Sequence, residues 1–183
     1  MDWHLKRAAA ALHRGGVIAY PTEGVWGLGC DPANQAAVLR LLALKGRPWQ
    51  KGLILIAAEL AALAPYLEPL PPALLQGVQA TWPGPVTWLL PARHSTPPWL
   101  RGAHHTLAVR VTAHRRAADL CRHFGGALVS TSANRAGQPP ARRPLQVQRL
   151  FGAELDYIIP GETGGLRGAT EIRDARGKLV RPG

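Results

Sequence analysis

Four short segments of this 183-residue chain gather the residue types that handle anions. In Lys45-Gly46-Arg47-Pro48, with Lys51 close behind, three cations sit at the end of an expected helix. Lysine offers a mobile point charge and arginine a planar fork, a pairing suited to a phosphate clamp. The same cations also complement the negative end of the helix macrodipole, so spacing alone leaves both uses open. In Leu128-Val129-Ser130-Thr131-Ser132-Ala133-Asn134 an apolar strand empties into three hydroxyls and an amide. These groups suit phosphate, ribose or amino-acid recognition, or the capping of a turn. No GxSxG elbow surrounds the serines, which argues against a serine triad. Tyr20-Pro21-Thr22-Glu23-Gly24-Val25-Trp26-Gly27-Leu28-Gly29 follows a short apolar run. Its glycines let backbone amides approach a ligand, and Thr22 adds a hydroxyl at the strand exit. In Leu107-Ala108-Val109-Arg110-Val111, alternation puts Ala108 and Arg110 on one face. An arginine there either lies on the exposed face of an edge strand or, if buried, must meet an anion.

The elements that must hold these segments follow from periodicity and punctuation. Apolar positions at helical spacing predict helices over Asp2 to Arg14, Gln35 to Leu44, Ala58 to Tyr66, Pro72 to Ala80, Ala113 to Phe124 and Leu145 to Phe151. Strand-length apolar runs cover 17–20, 52–57, 86–90, 107–111 and 127–131, with shorter ones at 157–159, 171–173 and 179–181. The stretch from Thr22 to Cys30 reads as one Gly-rich loop. Interleaved helices and strands predict a single α/β domain over 1–183, a twisted mixed parallel and antiparallel sheet flanked by helices.

Composition narrows the class. The two cysteines, Cys30 and Cys121, have no Cys/His cluster beside them, which fits a reducing compartment. His104-His105 lacks further ligands at zinc spacing, so no metal site is assigned. Neither a signal peptide nor a membrane span is present, and a cytoplasmic location without membrane attachment is expected. The net charge is +11, and 18 of the 22 basic residues are arginine. That imbalance suits a polyanionic partner such as RNA, or simply a solvated basic face.

In order along the chain, Tyr20-Pro21-Thr22-Glu23, Lys45-x-Arg47-Pro48, Leu107-Ala108-Val109-Arg110-Val111 and Ser130-x-Ser132-x-Asn134 together resemble the YrdC family. The tail from Glu162-Thr163-Gly164-Gly165 through Glu171-Ile172-Arg173-Asp174 to Val180-Arg181-Pro182-Gly183 matches as well. Lys51 to Ile56 and Trp82 to Thr87 are similar to the short bacterial TsaC type of threonylcarbamoyl-AMP synthase. The resemblance implies a nucleotidyltransferase that joins L-threonine, bicarbonate (or CO2) and ATP, with Mg2+ on the triphosphate. Its product would feed tRNA threonylcarbamoylation through partner proteins. It further implies that Lys45 and Arg47 bind triphosphate and carbamate as the catalytic cations. Ser130, Ser132 and Asn134 would hold nucleotide and threonine, Thr22 would face threonine or adenylate, and Arg110 would meet carboxylate or phosphate. Thr170 and Arg181 would lie where the tail closes over the nucleotide. The chain departs from the family loop at Gly24 and Trp26, where Thr and Tyr are common, and it lacks the extra domain and linker of longer members. Two other readings compete: a non-catalytic basic RNA-binding module, and a relative handling carbamoyl phosphate, whose usual zinc-finger-like cysteines are missing here.

Overall fold

The computed structural model describes residues 2–183. Helix α1 (Trp3–His13) begins where the Asp2 carboxylate accepts the amides of His4 at 2.9 Å and Leu5 at 3.4 Å. Such a cap satisfies donors that the first helical turn leaves orphaned. The chain continues through β1 (Ile18–Pro21), β2 (Trp26–Gly29), α2 (Gln35–Lys45), β3 (Ile54–Ala57), α3 (Pro72–Gln79) and β4 (Val86–Pro91). It then forms α4 (Pro98–Arg101), β5 (Thr106–Val111), α5 (Arg115–Phe124), β6 (Leu128–Ser132) and α6 (Pro144–Phe151). Strands β7 (Tyr157–Ile158), β8 (Glu171–Arg173) and β9 (Leu179–Arg181) complete it. Helix α2 ends at Gly46, whose φ of 60° is the left-handed conformation glycine adopts without strain.

The strands form one sheet in the order β7-β1-β2-β6-β3-β5-β4-β8-β9. Parallel pairs (β3 with β5, β4 with β8, β1 with β7) are interspersed among antiparallel ones, giving the expected mixed sheet. Register decides which side chains share a face. Ile54 lies opposite both Ala108 and Ser130, Ile56 opposite Arg110 and Leu128, and Gly27 opposite Ser132. Part of this face is covered by α1 and α5, whose Leu5, Leu12, Ala117 and Leu120 pack on Ile18, Tyr20, Ile56 and Leu128. The opposite face carries Leu28, Leu55, Val109 and Val129 against Val38, Leu41, Leu63, Val78 and Phe151. Each such side chain, fully buried, contributes about 1.5–3 kcal/mol through removal from water.

Two sequence expectations change, and one open alternative is decided. The stretch Thr22 to Cys30 is not one loop, because β2 lies within it. Glycine alternation hid the strand, yet at Gly29 a Cβ would press into the Val129 carbonyl and sit 2.8 Å from the Tyr20 ring. Ala58 to Tyr66 contains a 3-10 segment, Leu60–Tyr66, instead of an α-helix, with Pro65 unable to donate an amide inside it. Strand β5 lies between β3 and β4, so Arg110 is on an interior strand and not an edge. Short turns at Trp49–Lys51 and Pro98–Arg101 add helical elements that periodicity does not announce.

Candidate functional site

Beyond the reach of α1 and α5, the same sheet face opens into a cavity of about 110 Å³. Arg47, Arg110, Arg181, Ser130, Ser132 and Thr170 line it, drawn from the end of α2, from β5, β6 and β9, and from the approach to β8. A second cavity, of about 300 Å³, adjoins it and shares Arg47, Leu53, Ile54 and Arg181. Its walls are largely aliphatic (Leu89, Leu100, Ala108, Ile172, Val180), with Lys51, Arg101 and His104 also present. The pair forms one elongated groove with cations at its waist.

Arg110 is the buried centre of this arrangement. Its side chain is 5% exposed and that of Glu23 is 8% exposed, with Nη2 3.2 Å from Glu23 Oε2. Nη1 donates to the hydroxyl of Thr170 at 2.8 Å and to that of Thr87 at 3.3 Å. Thr112 donates to Glu23 Oε1 at 2.6 Å. Burial alone would raise the Glu23 carboxyl, but Arg110 and the Thr112 hydroxyl more than offset it and hold it below the ordinary range. Arg110 Nε has no partner and is one of two such buried side-chain atoms among the described residues; the other is Trp26 Nε1. Both residues line the cavity. A buried donor without an acceptor is costly, and a bound anion would relieve it.

The remaining cations repel one another. Arg181 is lowered from its usual range by burial and by Arg110, and Arg47 by burial and by Arg181. Lys45 is pushed down to about 8 by burial and by Arg47. A row of positive groups around a groove with no Asp or Glu among its described lining residues is an anion site by electrostatics.

The expected site residues divide into two sets. Arg47, Arg110, Ser130, Ser132, Thr170 and Arg181 converge on the cavity. Lys45, Asn134 and Thr22 stand behind its wall. The Lys45 ammonium donates to the Ser132 carbonyl, to the Asn134 carbonyl at 2.7 Å and to Asn134 Oδ1 at 3.3 Å. Asn134 Oδ1 also accepts from the Ser132 hydroxyl at 2.6 Å, while its Nδ2 donates to Gln138 O at 2.7 Å and Arg135 O at 3.1 Å. Lysine has three protons to give, and all three are taken. This knot ties the end of α2 to the exit of β6. The Thr22 hydroxyl donates to the Val25 carbonyl at 2.7 Å and braces the turn into β2. Arg47 is steadied by the Gly52 carbonyl, 2.9 Å from Nη2.

Sequence reasoning assigned no role to Glu23, Thr87 or Thr112. For Glu23 a signal existed: a buried strand arginine demands a carboxylate, and Glu23 is the acid inside the first segment. For the threonines none did, since only the register of β4 against β5 brings Thr87 beside Arg110.

A family model described as "Telomere recombination" (Sua5/YciO/YrdC) matches residues 10–183. A threonylcarbamoyl-AMP synthase of Nitrosococcus oceani is 62% identical over 175 residues, covering 96% of this chain and 95% of that protein. One from Halorhodospira halophila is 59% identical, covering 95% and 91%. Among solved structures, P. abyssi Sua5 complexed with L-threonine superposes with a TM-score of 0.91 at 31% identity, over all of this chain and 55% of that longer one. E. coli YciO shares the fold, with a TM-score of 0.83 at 22% identity over 98% of this chain and 88% of that one. A chain matched over nearly its whole length by this family, with the family's ordered segments meeting at one groove, belongs to the Sua5/YciO/YrdC family.

Proposed function

We propose that this chain is a threonylcarbamoyl-AMP synthase, a nucleotidyltransferase converting L-threonine, bicarbonate (or CO2) and ATP into L-threonylcarbamoyl-AMP and diphosphate. The product would supply the first activated intermediate of tRNA N6-threonylcarbamoyladenosine formation. The full-length likeness to proteins of that name supports the reading. So does the site: the observation that carries it is the row Arg47, Arg181, Arg110 around a groove where Arg110 Nε awaits an acceptor.

The chemistry needs such a groove. The neutral threonine amine adds to CO2 and loses a proton to solvent, giving a carbamate; a carbamate oxygen then attacks the α-phosphorus of ATP, and diphosphate leaves with its bond electrons. Nucleophile and electrophile are both anionic, so fixed positive charge and orientation supply most of the rate. In this reading the narrow cavity over Ser130 and Ser132 takes threonine, with Arg110 Nε toward its carboxylate. The wider aliphatic cavity takes the nucleoside, and Arg47 and Arg181 at the waist take the carbamate and phosphates. Lys45 and Asn134 hold the strand exit in place behind them, and Thr22 braces the loop.

Mg2+ would enter on the triphosphate. Among the described residues the cavity walls offer hydroxyls and guanidiniums, and the Glu23 carboxylate beside Arg110 is engaged by Arg110 and Thr112. Because Mg2+ is commonly held through one or two carboxylates besides substrate phosphates, the protein supplies no evident ligand set and no step is assigned to the ion. Among the described residues no helix is long and apolar enough to cross a membrane. A cytoplasmic setting, with tRNA and the proteins of threonylcarbamoyl transfer as later partners, accords with the reaction.

The test is diphosphate release from ATP that requires both threonine and bicarbonate. Arg47→Ala should lower it by at least 100-fold with an unchanged melting temperature; wild-type turnover in that variant would remove the clamp assignment. The basic RNA-binding module is favoured by one observation, the +11 charge, and leaves the unpartnered Arg110 Nε unexplained. Folded protein that binds RNA but never releases diphosphate would favour it.

A further inference from the structure

Residues 161–170 cross from β7 to β8 as an extended strap. The Gly164 amide donates to the Thr22 carbonyl and the Leu166 amide to the Glu23 carbonyl, each at 3.0 Å. These two bonds tie the strap to the loop before β2. His114 Nδ1 accepts the Ala117 amide, so Nε2 carries the proton and donates to the Glu162 carbonyl at 3.1 Å. Arg142 donates to the Arg167 carbonyl. At its far end the strap delivers Ala169 and Thr170 to the cavity, where the Thr170 hydroxyl accepts from Arg110 and its carbonyl accepts from Arg181 at 2.8 Å.

Gly24 lies directly beneath. A Cβ on Gly24 would overlap the Gly168 carbonyl oxygen and come within 3.0 Å of its carbon and 3.2 Å of Leu166 Cβ. Gly24 does not have a positive φ, so its own backbone accepts any residue. The space taken by the strap is therefore what excludes a side chain there. From the other side, a Cβ on Gly164 would sit 3.0 Å from the Glu23 carbonyl oxygen. Two glycines bring two backbones together over the site.

We propose that Gly24 is a positioning residue: it sets the height of the 161–170 strap over the cavity and so the placement of Ala169, Thr170 and Arg181 against the bound nucleotide. The strap is then a roof that this chain supplies from within its own domain. The proposal rests on the reading that this cavity binds ATP. Its seat, however, is testable apart from catalysis.

The experiment compares wild type with Gly24→Ala, and with Gly77→Ala as a control, whose added Cβ meets only the Trp88 ring at 3.8 Å. Amide hydrogen exchange is read at Gly164 and Leu166, and ATP affinity by calorimetry. In Gly24→Ala both amides should exchange at least tenfold faster and the ATP Kd should rise about tenfold, while the control matches wild type. Unchanged exchange at Gly164 and Leu166 overturns the seat. Faster exchange with an unchanged Kd overturns the roof. Should Gly24→Ala fail to fold, Thr170→Val, which removes the strap's own acceptor for Arg110, must free the strap in the same assay or the proposal falls. Wild-type protein that binds ATP but never forms adenylate would sink the enzyme reading and leave the strap standing.

Discussion

Replacing Glu23 with glutamine puts the electrostatics of the groove to a quantitative test. The change keeps the shape of the side chain and removes its charge. Glu23 and Arg110 are both nearly fully buried, and Glu23 is the acid paired with Arg110. Breaking a buried pair from one side costs about 3–5 kcal/mol, because the surviving charge is left uncompensated. For a domain of this size each kcal/mol moves the melting temperature by about 2–4 °C, so Glu23→Gln should melt about 6–20 °C lower at pH 7. The Glu23 carboxyl is held below its ordinary value of 4.5 in the folded protein. Its contribution is thus fully present above pH 4.5 and lost as pH falls through the folded value. Thermal melts of wild type and variant between pH 7 and pH 3 should converge at the acid end. Diphosphate, by supplying negative charge to the groove, should restore part of the loss in the variant. A shift under 2 °C at pH 7, or curves that stay parallel into acid, would refute the buried-pair account.

Lys45→Met should destabilise by several kcal/mol, since it strands acceptors on Ser132 and Asn134 at about 1–3 kcal/mol each, and a denaturant melt reads this directly. The folded value of about 8 for Lys45 lies below the ordinary 10.5, so the unfolded chain binds the extra proton between them. Wild type should therefore gain stability relative to Lys45→Met as pH rises from 8 towards 10.5; a constant difference across that window would contradict the burial. Gly29→Ala should cost about 1–3 kcal/mol by overpacking β2 against Val129 and Tyr20, and a melt within 1 °C of wild type would disprove that contact. If RNA uses the basic surface, its affinity should fall steeply between 50 and 200 mM salt, with log Kd linear in log salt; a flat response would exclude a phosphate-driven contact.

Much of the site was legible because its chemistry sits in contiguous motifs. Arg47, Arg110, Ser130 and Ser132, singled out by residue type, line one cavity together with Thr170 and Arg181, which only the family resemblance named. Partition of roles was not legible. Whether Lys45 faces a ligand or a backbone depends on where the Ser132 and Asn134 carbonyls point, and that is fixed by the packing of α2 against the end of β6. The alternation of Arg110 and Ala108 with aliphatic residues was read correctly from period two, whereas the strand's interior place in the sheet required pairing information. Strand β2 escaped notice because Gly27 and Gly29 carry no side chains to mark a face. Gly29 is small because the Val129 carbonyl and the Tyr20 ring come close, and an added Cβ at Gly27 would lie 3.2 Å from the Thr22 methyl.

The sheet order carries a consequence for assembly. Strands β8 and β9 lie at one margin and follow the other strands along the chain, yet Thr170 and Arg181 complete a groove whose lining begins at Val25. A ribosome-bound chain stopped before Ala169 could form the central strands and most of the core while its anion groove stayed unfinished. Activity would then be gained only once residues 169–181 had joined the sheet margin, after the central strands were in place.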